Sequence, residues 1–282
     1  MANFSFDQAE GLRRMLAGPK PRIITFLSAT DREDKSAMLV NLGASLVGAG
    51  SDVLLLDACI ESTGIGPWLG LPNGITLLDA ARKKCDIAEI IKPMAQGFGL
   101  ARLASERFYS GKCDPDEVSN VANTFDALVT QSDVVIVDGE LDVEDMFPMS
   151  AMASSEIVVQ VSTNPTSIMM AYGLIKRLSS LLGRRSFSIL VTGASEKEAI
   201  VIYGNMAQAA SRYLAIQLNS MGSVPADEHL SRATRLGRSV VDAYPLAGAS
   251  VAFRRLAGRF AISDTDHKRS RTISTRGVTL GT

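Results

Sequence analysis

Histidine and cysteine are scarce in this chain, and neither sign of charge is in excess. Two histidines, His229 and His267, and three cysteines, Cys59, Cys85 and Cys113, share no metal-ligand spacing. That excludes a zinc-ribbon or zinc-finger module and points to reduced thiols in a cytosolic protein, not to a disulfide framework. Lys+Arg total 29 against 30 for Asp+Glu, a net charge of -1, so no global field draws the chain to nucleic acid or anionic lipid. No run approaches the roughly 18 apolar residues of a spanning helix, and the start MANFSFDQAE lacks the basic-then-apolar order of a signal peptide. The expected location is the cytoplasm. Glycine is missing at one telling place: residues 29–34 read Ala-Thr-Asp-Arg-Glu-Asp between an apolar strand and the pair Lys35-Ser36.

What the chain does have is enough apolar material, 46% of 282 residues, for a full core. Near-continuous apolar runs at 22–27, 52–56, 98–103, 133–137, 156–161, 186–191 and 217–223 read as strands. Helical patterns at 35–49, 76–81, 86–91, 114–130, 165–182, 195–214, 228–237 and 249–260 separate them. Strands apolar on both faces and alternating with helices predict a doubly wound α/β fold, a mostly parallel sheet with helices on both faces. In such a sheet ligands sit at the carboxyl ends of the strands.

Four segments are expected. Residues 1–18 carry a short helix over 6–17, FDQAEGLRRMLA, in which Asp7 can cap and Glu10 can reach back to it. Ala9, Leu12 and Leu16 share a face of that helix. Residues 19–21 form a Pro-rich linker, 22–262 the α/β domain, and 263–282 a polar, basic tail with too little apolar area to order itself.

The opening strand, the turn and the Lys35-Ser36 helix start stand where a phosphate-binding loop is expected, and Asp57 and Asp138 each follow an apolar strand. If they converge, Lys35 neutralises phosphate, while Ser36, Asp57 and Asp138 hold Mg²⁺ or its waters. The missing glycines argue against a working site, because phosphate cradles need backbone N–H groups at φ values that other residues resist. Asp31, Glu33 and Asp34 add like charge, each pair at about 4 Å costing roughly 1 kcal/mol in water and about 4 at an effective dielectric of 20. Micromolar binding is worth only about 8 kcal/mol. No residue stands out as catalytic.

The order of these motifs resembles the MinD/ParA group of deviant-Walker ATPases, and within it the FlhG/FleN flagellar subfamily. "DQAEGLRRM" is similar to that subfamily's activator helix, "VLLLDACIESTGIGPWLGL" to the segment after its second strand, and "STNPTSIMMAYGLIKRL" to its PEPTSITDAYALIK helix. "GSVPADEHLSRATRLGRSVVDAYPLAGASVAFRRLA" resembles its C-terminal portion. The resemblance implies a P-loop NTPase-like fold, ATP and Mg as cofactors where the site is active, and a role in flagellar number and placement. It implies contact with an FlhF-type GTPase through Asp7, Gln8, Leu12 and Arg13, further partners among flagellar switch proteins or transcription regulators, homodimerisation, and a polar or peripheral location at the inner membrane. The departures fall on the nucleotide chemistry. Thr30 replaces the lysine that reaches across the dimer, Ala29, Asp31, Arg32 and Asp34 replace glycines, Cys59 replaces the hydrolytic aspartate, and Thr192-Gly193 stands where an asparagine reads adenine. The resemblance thus implies a regulator with weakened or lost ATPase activity. Its alternative is a working ATPase that dimerises with ATP and binds membrane, with residues 251–260 either an anchor or the last core helix.

Overall fold

The computed structural model describes residues 21–59, 64–105, 108, 113–142 and 144–260. The expected arm over 6–17, with Asp7, Gln8, Leu12 and Arg13, lies outside them, as does the basic tail.

Eight strands form one sheet: β1 (Arg22–Ser28), β2 (Val53–Asp57), β3 (Lys92–Pro93), β4 (Gly99–Arg102), β5 (Val134–Asp138), β6 (Glu156–Ser162), β7 (Phe187–Thr192) and β8 (Leu218–Val224). Their spatial order is β3-β4-β2-β5-β1-β6-β7-β8, and every pairing is parallel except the short antiparallel β3 at one edge. The order reverses around β1, so the crevice beyond the carboxyl end of β1 is the switch point at which such sheets bind ligands. The side chains of β2 and β5 are buried at every position, as strands covered on both faces require.

Five longer helices cover the sheet: α1 (Arg32–Gly48), α2 (Pro115–Val129), α3 (Pro165–Leu182), α4 (Glu196–Leu214) and α5 (residues 248–260). Local chemistry fixes their starts. Asn164 caps α3 through the Thr166 N–H with Pro165 at the first helical position, and Ser195 and Glu198 form a reciprocal capping box at α4. The two faces build two cores: α2, α3 and α4 pack on one side, and α1 and α5 on the other.

Two expectations change. The helix expected from residue 35 starts at Arg32, because a glycine-free run adopts helical dihedrals as soon as the strand releases it. The segment expected helical over 86–91 is a single 3₁₀ turn, Ile87–Glu89. Short helices at Ile65–Trp68, Ser150–Ser154 and Val240–Ala243, a few residues each, carry too little periodicity to be seen in sequence. Residues 251–260 are the last core helix: Phe253, Leu256, Ala257 and Phe260 are buried, so the apolar face that a membrane would need is spent inside. Among the described residues no helix is long and apolar enough to cross a membrane.

Candidate functional site

Strand register brings the acids together. Asp57 and Asp138 end adjacent parallel strands and are paired directly across β2 and β5. β1 runs on the other side of β5, and its exit at Ser28 leads through Thr30 into α1. Lys35, in the first turns of α1, reaches back across this edge. Its ammonium ion-pairs with Asp138 Oδ1 and donates to the Gly139 carbonyl at 2.6 Å, with both side chains almost wholly buried. Asp138 Oδ2 has no hydrogen-bond partner among the described residues, so the lysine is the main compensation for that buried charge. Burial, the largest single influence, would lower the Lys35 pKa, but the charge and hydrogen bond of Asp138 together with the other acidic groups around it outweigh burial and hold the ammonium above its ordinary range.

The turn between β1 and α1 satisfies itself. Ser28 Oγ accepts the Thr30 N–H at 3.0 Å, and the two hydroxyls lie 2.8 Å apart. Asp31 occupies the cap position without a side-chain cap bond, and its carbonyl accepts the Lys35 N–H at 3.1 Å. In a phosphate nest that N–H faces the ligand; here it closes the first turn of helix. Arg32, on the same turn, forms an exposed ion pair with Glu140 at 3.0 Å.

Asp57 is engaged elsewhere. Its Oδ2 accepts the Gly66 N–H at 3.0 Å, its Oδ1 accepts the Cys59 N–H at 3.3 Å, and the Arg102 guanidinium stands 3.9 Å away. Gly64 packs so closely that a Cβ there would lie 2.0 Å from Asp57 Oδ1. Burial, and after it the neighbouring Asp138 charge, pushes the Asp57 carboxyl up. Burial likewise pushes the Cys59 thiol well above 9.0 despite the nearby Lys35, so at neutral pH it is a protonated thiol that donates to the Asp138 carbonyl at 3.7 Å. Ligand atoms of Asp57, Cys59 and Asp138 all lie within 4.8 Å of one another.

Two clefts flank the N-terminus of α1. The first, about 240 Å³, is lined by Thr30, Lys35, Ser36, Cys59 and Asp138 with Met170 and Arg177 of α3. The second, about 410 Å³, opens on the opposite side over the ends of β6, β7 and β8, and Thr192 and Gly193 line it. Of the residues expected to converge, Lys35, Ser36 and Asp138 share the first cleft. Asp57 adjoins them through Cys59 and Asp138 but turns its oxygens to the segment around Gly66. Sequence reasoning did not single out Glu140, Arg102, Gly64 or Gln160, because their roles depend on which strands are neighbours.

No family model matches the chain. Among curated proteins it is 29% identical over 224 residues to the antiactivator FleN of Pseudomonas aeruginosa, covering 79% of this chain and 80% of that protein. It is 23% identical to the septum site-determining protein MinD of Helicobacter pylori over 78% of this chain and 83% of that one. Among solved structures, MinD of Aquifex aeolicus superposes with a TM-score of 0.60 at 19% identity, over 93% of this chain and 100% of that one. MinD of Pyrococcus horikoshii, solved with Mg-ADP, gives 0.58 at 20% identity, over 84% and 94%. Sheet order and these superpositions give the chain the fold of the MinD and ParA ATPases, and in sequence it is similar to the antiactivator FleN.

Proposed function

We propose that this protein regulates flagellar number and placement by protein contact, with ATP binding and hydrolysis weakened or lost. The observation that carries the reading is the start of α1, where the Lys35 N–H is bonded to the Asp31 carbonyl and the Lys35 ammonium to Asp138 and Gly139. Donors committed in this way are not available to phosphate oxygens, and Asp31, Glu33 and Asp34 set negative charge in front of them. Asp57 is held by two backbone N–H groups and Cys59 is a protonated thiol, so Asp138, itself paired with Lys35, is the remaining acid that faces the cleft to hold magnesium or its waters. The likeness to an antiactivator supports a regulatory role. The arm over residues 6–17 supplies the contact to an FlhF-type GTPase: Leu12 buries apolar area, Gln8 and Arg13 approach the partner's active site, and Asp7 fixes the helix start.

One observation favours a second reading, a working ATPase: Lys35, Ser36 and Asp138 do line one cleft. Calorimetric titration with Mg-ATP decides between them. No binding up to about 1 mM is expected; a Kd below about 100 µM, worth more than roughly 5 kcal/mol, overturns the first reading. For the arm, a peptide of residues 1–20 should accelerate GTP hydrolysis by the partner GTPase, and its Gln8→Ala/Arg13→Ala form should not. An inert parent peptide removes that part of the proposal.

A further inference from the structure

The second cleft has the chemistry of a cation site. It lies between the first turn of α1 and the helix Glu228–Arg235, with Glu33 and Asp34 on its rim. Neither carboxylate has an ion-pair or hydrogen-bond partner among the described residues. The positive end of α1 explains why the helix tolerates acids in its first turn; it does not discharge them. A third carboxylate, Asp227, is already engaged by His229 Nδ1 at 2.7 Å and the Ala249 N–H at 2.9 Å, and Arg235 is the single guanidinium facing the cleft among the described residues. Burial, then the charges of Asp31 and Glu33, raises the Asp34 carboxyl, the direction that a bound cation would reverse.

The floor supplies an independent sign. Gln160, wholly buried in the middle of the sheet, lines the cleft and donates from Nε2 to Thr192 Oγ1 at 3.4 Å. Its Oε1 has no partner among the described residues. A buried amide oxygen left unpaired costs free energy unless a donor enters the cleft to meet it. Between rim and floor the walls are apolar and aromatic, with Met38, Trp68 and Phe253. Such walls suit an alkyl stem, and Trp68 can face a cation with its ring.

We propose that this cleft binds an organic cation with N–H donors on an alkyl stem, a guanidinium or primary ammonium, held by Glu33 and Asp34 at the rim and by Gln160 Oε1 at the floor. The proposal rests on the reading that ATP does not occupy this end of the sheet. It assigns the acids that oppose a triphosphate a ligand of the opposite charge.

Calorimetry on the full chain at low salt tests it, with agmatine and N-butylguanidinium as cationic probes and N-butylurea as the neutral isostere. Saturable one-site binding of both cations is expected, with the urea at least about tenfold weaker, a difference of about 1.4 kcal/mol. The Glu33→Gln/Asp34→Asn variant should lose about tenfold or more; both positions are exposed, so its thermal midpoint serves as the folding control. Gln160→Met should weaken the cations and N-butylurea alike, because each presents N–H donors to the floor. In a second arm, acetyl-Gly-Arg-Gly-amide distinguishes a protein side chain from a free metabolite: tighter binding than agmatine assigns the former, weaker the latter. Absence of saturable cation binding, equal binding of N-butylurea, or an unaffected double variant overturns the proposal. Mg-ATP titrated in the same series separates the failures, because ATP binding defeats the regulatory reading, whereas silence from agmatine alone defeats only this one.

Discussion

Lys35 is read differently by sequence and by fold. In the sequence it marks a phosphate loop; in the fold it is the counter-charge of a buried aspartate. Removing one member of a buried pair leaves the other uncompensated, so Lys35→Met should destabilise the protein by about 3–5 kcal/mol in urea titration. The double variant Lys35→Met/Asp138→Leu should recover much of that loss. A lysine whose only task was to bind phosphate would show little effect on stability. The same pair sets an alkaline limit. Because the folded Lys35 pKa is raised above 10.5, its contribution is fully present below pH 10.5 and is lost as pH rises through the higher folded value. Midpoints measured on either side of that pH should fall more steeply in the parent than in Lys35→Met. Asp227 runs the other way. Burial would raise it, yet the Ala249 and His229 N–H groups hold it below 3.8, so its contribution is present above that pH and is lost on acidification.

At the scale of elements, the start of α1 is the decisive feature. Extending the helix to Arg32 takes up the Lys35 N–H in an intrahelical bond and sets Glu33 and Asp34 in the first turn, where their charge opposes an anion. Substituting glycine at Arg32 and Asp34 should fray this turn at roughly 1 kcal/mol per site, seen as a lower thermal midpoint. The other end of the molecule depends on α1 through one side chain. Asn41 donates to the Ala37 carbonyl at 2.7 Å and accepts the Val240 N–H at 2.6 Å, tying α1 to the short helix Val240–Ala243. Asn41→Leu leaves that buried N–H unpaired, and a loss of about 1–3 kcal/mol is expected in chemical denaturation.

Over the whole molecule, the second core joins α1, the sheet and α5 into one unit. Phe253 is 1% exposed and also walls the second cleft. Phe253→Ala should cost about 3–5 kcal/mol of stability, the price of a core cavity. An amphipathic membrane anchor would instead tolerate the change in stability and lose lipid association, so urea titration beside vesicle co-sedimentation tells the two roles of α5 apart.

The sequence by itself determined the strands, the long helices and the parallel architecture, because double-sided burial and helical periodicity are written locally in residues such as Val134–Asp138 and Pro165–Leu182. It also determined that the loop lacks glycine and bears acid, which is composition. Only the tertiary structure decided what those residues do. Whether Lys35 faces solvent or Asp138, whether Asp57 turns to a cleft or to Gly66, and whether Gln160 meets a partner all depend on packing and strand register between segments that are separate in the sequence. So does the placement of residues 251–260, whose apolar stripe reads alike for a core or a lipid surface until the facing sheet is in place. Periodicity sets which face of an element is apolar, and packing sets what that face meets.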